Sequence, residues 1–189
     1  MTGSFQQKPT DSLLFHKVEV LDRPIVADNA TALRYEKTAV ISLYNAGGWK
    51  TEELQRGLLT PDEIYDRIDQ GTALNLDGAY ICGFSLADYR KARSMEDRAV
   101  VKLAGFSAVN AFFDNGDGTD FSYADFTGSR ISFESAVFGT GTVSFAGCVF
   151  SNDPADINFK KVRFGSGKVS FQFADFGNGN TCFQEAQFG

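Results

Sequence analysis

Three acids crowd one short stretch of this 189-residue chain: Asp114, Asp117 and Asp120 sit with Gly116 and Gly118 in FDNGDGTDF, residues 113 to 121. Oxygen donors closely spaced around a glycine turn are what a calcium loop uses. The spacing here fails that pattern. With Gly118 at the sixth loop position, Phe113 falls at the first and Ala124 at the twelfth, where an EF-hand requires an acid and a glutamate. Calcium β-rolls place their sites between tandem copies, and the acidic version occurs once here. No metal ligand set is expected.

The G-x-G of that stretch recurs without acids in FGTGT (138 to 142), FGSGK (164 to 168) and FGNGN (176 to 180). A phosphate cradle precedes a helix and carries Lys-Ser/Thr or a third spaced glycine, which these lack. The glycines read instead as corners that exploit positive φ. No cofactor is expected.

For nucleophilic or acid–base catalysis the material is thin. The single histidine, His16, lies in FHKVEVL, a predicted strand, far in sequence from any candidate nucleophile, and reads as structural or exposed. Carboxylates are scattered over predicted solvent-facing positions, with no recognisable acid–base pair. Cys82, Cys148 and Cys182 are too few and too far apart for a disulfide framework or a CxxC metal site, and read as buried free thiols. Cys148 replaces alanine at an inward position and should be shielded, whereas Cys182 should face outward and is the one to react if either does. No catalytic residue is assigned, and the place left for an enzymatic site is residues 1 to 71.

What positions these residues is a repeat. Of 19 phenylalanines, 16 lie after residue 105. They fall in pairs five residues apart: 121/126, 133/138, 145/150, 159/164, 171/176 and 183/188. Successive pairs are 12 residues apart except for one gap of 14, which holds SNDPAD, residues 151 to 156, an insertion suited to a surface corner. Two places before each first Phe stands a β-branched residue, and two before each second stands Ala124, Ala136, Cys148, Val162, Ala174 or Ala186. Residues two apart on a strand share a face, so each Phe and its small companion point into one core while the intervening positions face water. Such short strands cannot bury an apolar face alone, so repeats must stack in parallel, with rings piling into ladders. All twelve paired phenylalanines are expected to be buried.

These residues resemble the pentapeptide-repeat family, in which a central Leu or Phe recurs every five residues. The match is best in LNLDGAYICGFSLADY (74 to 89), where Leu76, Ile81 and Leu86 take the central place and Ala79 and Phe84 stand two before the latter pair. Later repeats alternate spacings of five and seven, giving a coil of about 24 residues where the family has 20. The resemblance covers 72 to 90 and about 105 to 189, and implies a mainly β fold: a right-handed parallel quadrilateral β-helix, or solenoid.

Outside the repeats, SMEDRAVVKLAG has Ser94 with Asp97 three later and then Ala99, Val100 and Leu103 at helical spacing, which predicts a short helix interrupting the solenoid over about 94–104. Residues 1 to 71 carry no repeat. FHKVEVL and TAVISLY read as strands. LTPDEIYDRIDQG reads as a helix with Thr60 at the N-cap, Pro61 at N1 and Gly71 beyond the end. Residues 1–71 are thus a small α+β N-terminal cap and 72–189 the repeat domain. The C-terminal end shows no cap, so the coil near Phe183 and Phe188 calls for a symmetry mate, in an end-to-end homodimer, or for residues absent from this chain.

A net charge of -6 argues against direct nucleic-acid binding. The N-terminus lacks a basic segment leading into an apolar one, and no apolar run nears the roughly 18 residues of a spanning helix. A cytoplasmic chain without membrane contact is expected. The sequence therefore points to a non-enzymatic scaffold for a protein partner. Two alternatives stand: the N-terminal structural or targeting part of a larger enzyme or toxin, and, as the resemblance implies, an acidic mimic of DNA that binds a type II topoisomerase. Residues 105 to 189 hold nine acids and five bases, a net of -4, which is weak for mimicry, and the rod is short.

Two repeats per coil would place Tyr123, Gly147 and Phe173 in one outward column and the polar Ser135, Lys161 and Glu185 in another. Tyr123 and Phe173 are the candidate protein-binding surface. The competing reading has Phe173 lying over Gly147 to shield the backbone.

Overall fold

Each repeat bends at the residue two places after its first phenylalanine. In the computed structural model, which describes residues 15–27, 32–45, 47–114, 116–150 and 156–189, the φ angles there are 56° at Tyr123, 57° at Ser135, 58° at Lys161 and Phe173 and 59° at Glu185, with Gly147 at 65°. A backbone N–H three residues on closes each bend, from Ala124 to the Phe121 carbonyl at 3.1 Å and from Ala136 to that of Phe133 at 2.9 Å. That bond with positive φ at the third residue is the signature of a type II turn. It leaves the Phe before the turn and the small residue after it facing one interior.

The chain begins with β1 (Phe15–Leu21), the short pair β2 (Ile25–Val26) and β3 (Arg34–Tyr35), then β4 (Thr38–Tyr44) and β5 (Lys50–Leu58). Helix α1 (Pro61–Asp69) has the predicted start: the Glu63 amide donates to the Thr60 hydroxyl, and the Glu63 carboxylate accepts from the Thr60 amide at 2.8 Å. Then follow β6 (Leu74–Asn75), β7 (Ala79–Cys82), α2 (Leu86–Ala92), β8 (Val101–Ser107) and β9 (Phe112–Asp114). The repeats supply β10 (Thr119–Asp120), β11 (Ala124–Ser132), β12 (Val137–Phe138), β13 (Val143–Ser144), β14 (Asp156–Asn158), β15 (Arg163–Phe164), β16 (Val169–Ser170), β17 (Thr181–Cys182) and β18 (Gln187–Phe188).

The architecture is mainly β, with most strands paired in parallel. One ladder is β10-β13-β16, a second β6-β8-β11-β14-β17, and a third runs through β7-β9-β12-β15-β18. Isolated parallel bridges also join Asp125 to Val149 and Val149 to Asp175. The chain visits these ladders cyclically, so Val143 pairs with Thr119 and Val169, its equivalents one circuit away. Of the SNDPAD insertion, residues 151–155 lie outside the described residues.

Inside, the rings form four columns. Phe121, Phe145 and Phe171 stack at 5.1 and 5.0 Å; Phe126, Phe150 and Phe176 at 5.0 Å; Phe133, Phe159 and Phe183 at 5.0 and 4.9 Å. Phe113, Phe138, Phe164 and Phe188 make the fourth, at 4.9 to 5.1 Å. The strand repeat of about 4.7–4.9 Å sets this distance, so one ring per circuit fills the column without gaps.

Four expectations need correction. The helix lies at Leu86–Ala92, capped by Ser85, whose side chain accepts from the Asp88 amide; Ser94 takes a left-handed φ of 52° beyond its end. Leu86, read as the central residue of a repeat, is therefore helical, and the 101–107 stretch is strand because Val101 and Leu103 alternate with exposed Lys102 and Ala104. Second, not every paired Phe is buried: Phe171 and Phe176 are half-buried, and Phe183 and Phe188 are 37% and 58% exposed, because among the described residues no circuit covers the last one. Third, some of the G-x-G glycines serve close approach: a Cβ on Gly165 would sit 2.2 Å from the Gly139 carbonyl and one on Gly167 2.1 Å from that of Gly141. Positive φ falls instead on the type II turns, with Gly118 and Gly177 the exceptions among these glycines.

The fourth correction concerns the N-terminal segment, which covers a side as well as an end. Helix α1 lies over the first circuit, burying Ile64 and setting the Tyr65 ring at a tilt to Phe84, centres 6.1 Å apart. The antiparallel sheet β1-β4-β5 joins β7 through Gly57 and Leu58. It then packs Ala39, Ile41 and Leu43 against Tyr80, Phe112 and Val137, the outward residues of the third ladder. At its rim Arg163 reaches Glu52 at 2.7 Å across 111 residues of chain.

Candidate interaction surface

Tyr123 and Phe173 share the left-handed turn position but not their surroundings. The Tyr123 ring lies against Gly147: a Cβ there would meet two of its ring carbons at 2.7 Å. Its other neighbour is the Arg90 guanidinium, 5.7 Å from the ring centre. Phe173 is 87% exposed. It is Tyr123, not Phe173, that shields Gly147, which corrects the competing reading. A non-glycine residue at positive φ costs roughly 1–2 kcal/mol, and Phe173 carries that cost without burying its ring. In the parallel column Lys161 and Glu185 approach at 3.9 Å and stay solvated.

Arg90 is the anchor that sequence reasoning missed. Only 2% exposed, it donates from Nη1 to the Ser122 carbonyl at 2.7 Å and from Nη2 to the Ser122 hydroxyl at 3.0 Å, with Asp120 at 3.5 Å. Asp120 also accepts from the Ala87 amide at 2.9 Å, tying the start of α2 to the repeats. Asp69 links the two helices, accepting from Tyr89 Oη at 2.7 Å and Arg93 Nη2 at 2.6 Å. Burial and the Asp69 carboxylate push the Tyr89 hydroxyl up to about 12. A buried Arg on a helix of mixed polarity leaves no periodic mark, so no signal in the sequence singled it out.

The acids of FDNGDGTDF face different partners. Asp114 accepts from Tyr80 Oη at 2.5 Å and lies 3.0 Å from His16 Nε2. His16 also packs edge-on to Phe112 at 5.1 Å, so this histidine fastens the edge strand β1 to the repeats. Burial alone would raise the Asp114 carboxyl, but hydrogen bonds from His16 and Tyr80 and the His16 charge together hold it below its usual value. The same environment pushes the Tyr80 hydroxyl well up, burial first and the Asp114 bond second. Among the described residues no three His, Cys, Asp or Glu side chains gather as a metal site.

The thiols differ from one another. Cys148 is buried, its Sγ 3.0 Å from the Phe121 carbonyl, and burial pushes it up to about 12. Cys182 is half-exposed on the outward side of β17. Cys82 is exposed, against the expectation of a buried thiol, because it ends β7 just beyond the inward Ile81.

Among the described residues no helix is long and apolar enough to cross a membrane. No protein-family model, curated protein or solved structure matches this chain.

Proposed function

We propose that this chain is a non-enzymatic scaffold, a right-handed four-sided parallel β-helix of the pentapeptide-repeat kind, which holds a protein partner against the edge marked by Tyr123 and Phe173. The cyclic order of the ladders and the four ring columns support the β-helix. The observation that carries the function is Phe173: an exposed aromatic ring held at positive φ, at a position where the neighbouring circuit has glycine. Stability alone favours glycine there, whereas an exposed aromatic ring is the usual anchor of a protein contact. The exposed Asp175, two residues on, fits a partner with a basic group beside an apolar pocket.

Capture of partners by intact protein and by Phe173→Gly tests this. The variant should lose the specifically captured species while its thermal midpoint holds or rises. Equal capture by both proteins would refute the assignment. Tyr123→Ser is the weaker test, because it also strips Gly147 and Arg90 of a packed ring.

A second contact is proposed at the last circuit, where Phe183 and Phe188 are exposed and β16, β17 and β18 have a partner on one side only. End-to-end pairing of two copies would cover both. Sedimentation equilibrium should then show a dimer that Phe188→Glu converts to a monomer, and a wild-type monomer at high concentration would remove this contact.

A further inference from the structure

The geometry points to a binding site for a small monocarboxylic acid with an apolar body, in the cleft between β3 and α1. The cleft has a volume of about 420 Å³, inside the range of about 300–1,000 Å³ typical of small-molecule sites. Leu33, Leu58 and Leu59 give it an apolar lining, and Leu59 is buried. Arg34, Lys37 and Arg67 also line it, a local excess of bases on a chain of net charge -6.

Two of these bases already have a carboxylate partner. Arg34 Nε lies 3.5 Å from Glu36, and Lys37 Nζ lies 3.2 Å from Asp22, both in exposed pairs. Arg67 differs. It is half-buried and makes one long hydrogen bond, from Nη1 to the Asn75 carbonyl at 3.4 Å, with no ion pair among the described residues. Glu63 stands one helical turn earlier, at a spacing that commonly forms such a pair. Its carboxylate is drawn away to the Thr60 amide and hydroxyl, at 2.8 and 2.7 Å, where it holds the start of α1.

A guanidinium fork with most of its donors unmatched, beside an apolar lining, fits a carboxylate bidentately and takes the hydrocarbon body behind it. Glu36 and Glu63 line the same cleft and oppose a second negative charge, which selects a monoanion over a phosphate. Tyr35 offers only its ring, because its hydroxyl donates to the Asp77 carbonyl at 2.7 Å. This site is independent of the Phe173 edge, and Phe173→Gly should leave it intact.

Octanoate titrated into the full chain, followed by calorimetry and by amide shifts of Leu59 and Asn75, tests the assignment, with octanamide as the uncharged control. Wild type should bind octanoate saturably. Arg67→Gln should weaken binding by about ten- to a hundredfold, the loss expected for hydrogen bonds to a charged group, and octanamide should bind wild type as weakly. Arg34→Gln, on the exposed rim, should change affinity by no more than about twofold. If Arg67→Gln melts abnormally, Leu33→Glu serves instead and should exclude octanoate more than octanamide. Octanamide binding as tightly as octanoate, undiminished affinity in Arg67→Gln, or no saturable shift in wild type would each overturn the proposal.

Discussion

The inner circuits and the last one are built from the same residue pattern and have opposite fates. Phe121, Phe133 and Phe145 are fully buried, while Phe183 and Phe188, in the same frame, stand partly in water. What differs is the neighbour. The early circuits have α1 above them, the β1-β4-β5 sheet along one side and further circuits below, whereas β16, β17 and β18 are each paired on one side only. A repeat motif thus fixes which way a side chain points, and the stack fixes whether anything lies over it.

The sharpest way to break this comparison is to remove one ring from each end of it. Phe145→Ala takes a ring from between Phe121 and Phe171 and should cost about 3–5 kcal/mol, because the rigid stack cannot close the cavity. Phe188→Ala, at a position exposed in the single chain, should cost under about 1 kcal/mol in urea unfolding at concentrations low enough to keep two copies apart. Equal losses would mean that the last circuit is covered in solution.

Thiol labelling contrasts the same regions kinetically. Cys82 and Cys182 should react with a maleimide or disulfide reagent in the native protein, while Cys148 should react only on unfolding. Labelling of Cys148 at the rate of Cys182 would show that the middle circuits open as readily as the last.

The seam between side sheet and repeats should respond to acid. Because the folded Asp114 carboxyl is held below its usual 3.8, its stabilising contribution is complete above that value. It is lost as pH falls from there through the depressed folded value. Asp114→Asn should flatten the acid limb of a stability–pH profile, and identical limbs would mean that the His16 contact carries no net energy. The smallest expected effect is at the far rim, where Glu52→Gln, removing a partly exposed pair with Arg163, should cost at most about 1 kcal/mol.

Much of this is legible in the residues alone. The spacing of phenylalanines marked the inward positions and the outward place of Tyr123, Gly147 and Phe173, because period-two alternation is a local property of a chain, but it did not show that the chain turns at those three residues. The Thr60-Pro61-Glu63 start of α1 was equally plain, since capping involves only neighbours in sequence. The helix at Leu86–Ala92 was hidden by residues that also fit a pentapeptide frame, and the choice went to the conformation in which Ser85 caps and Arg90 is buried against Ser122 and Asp120.

Only the tertiary structure decided what met across long separations. That β1 returns to set His16 on Asp114, that Glu52 finds Arg163, and that Glu63 turns to Thr60 and leaves Arg67 facing a cleft all depend on how the side sheet and α1 lie against the repeats. No periodicity encodes those meetings, because they follow from packing two apolar faces together, and the polar groups at the rim pair with whatever that packing brings within reach.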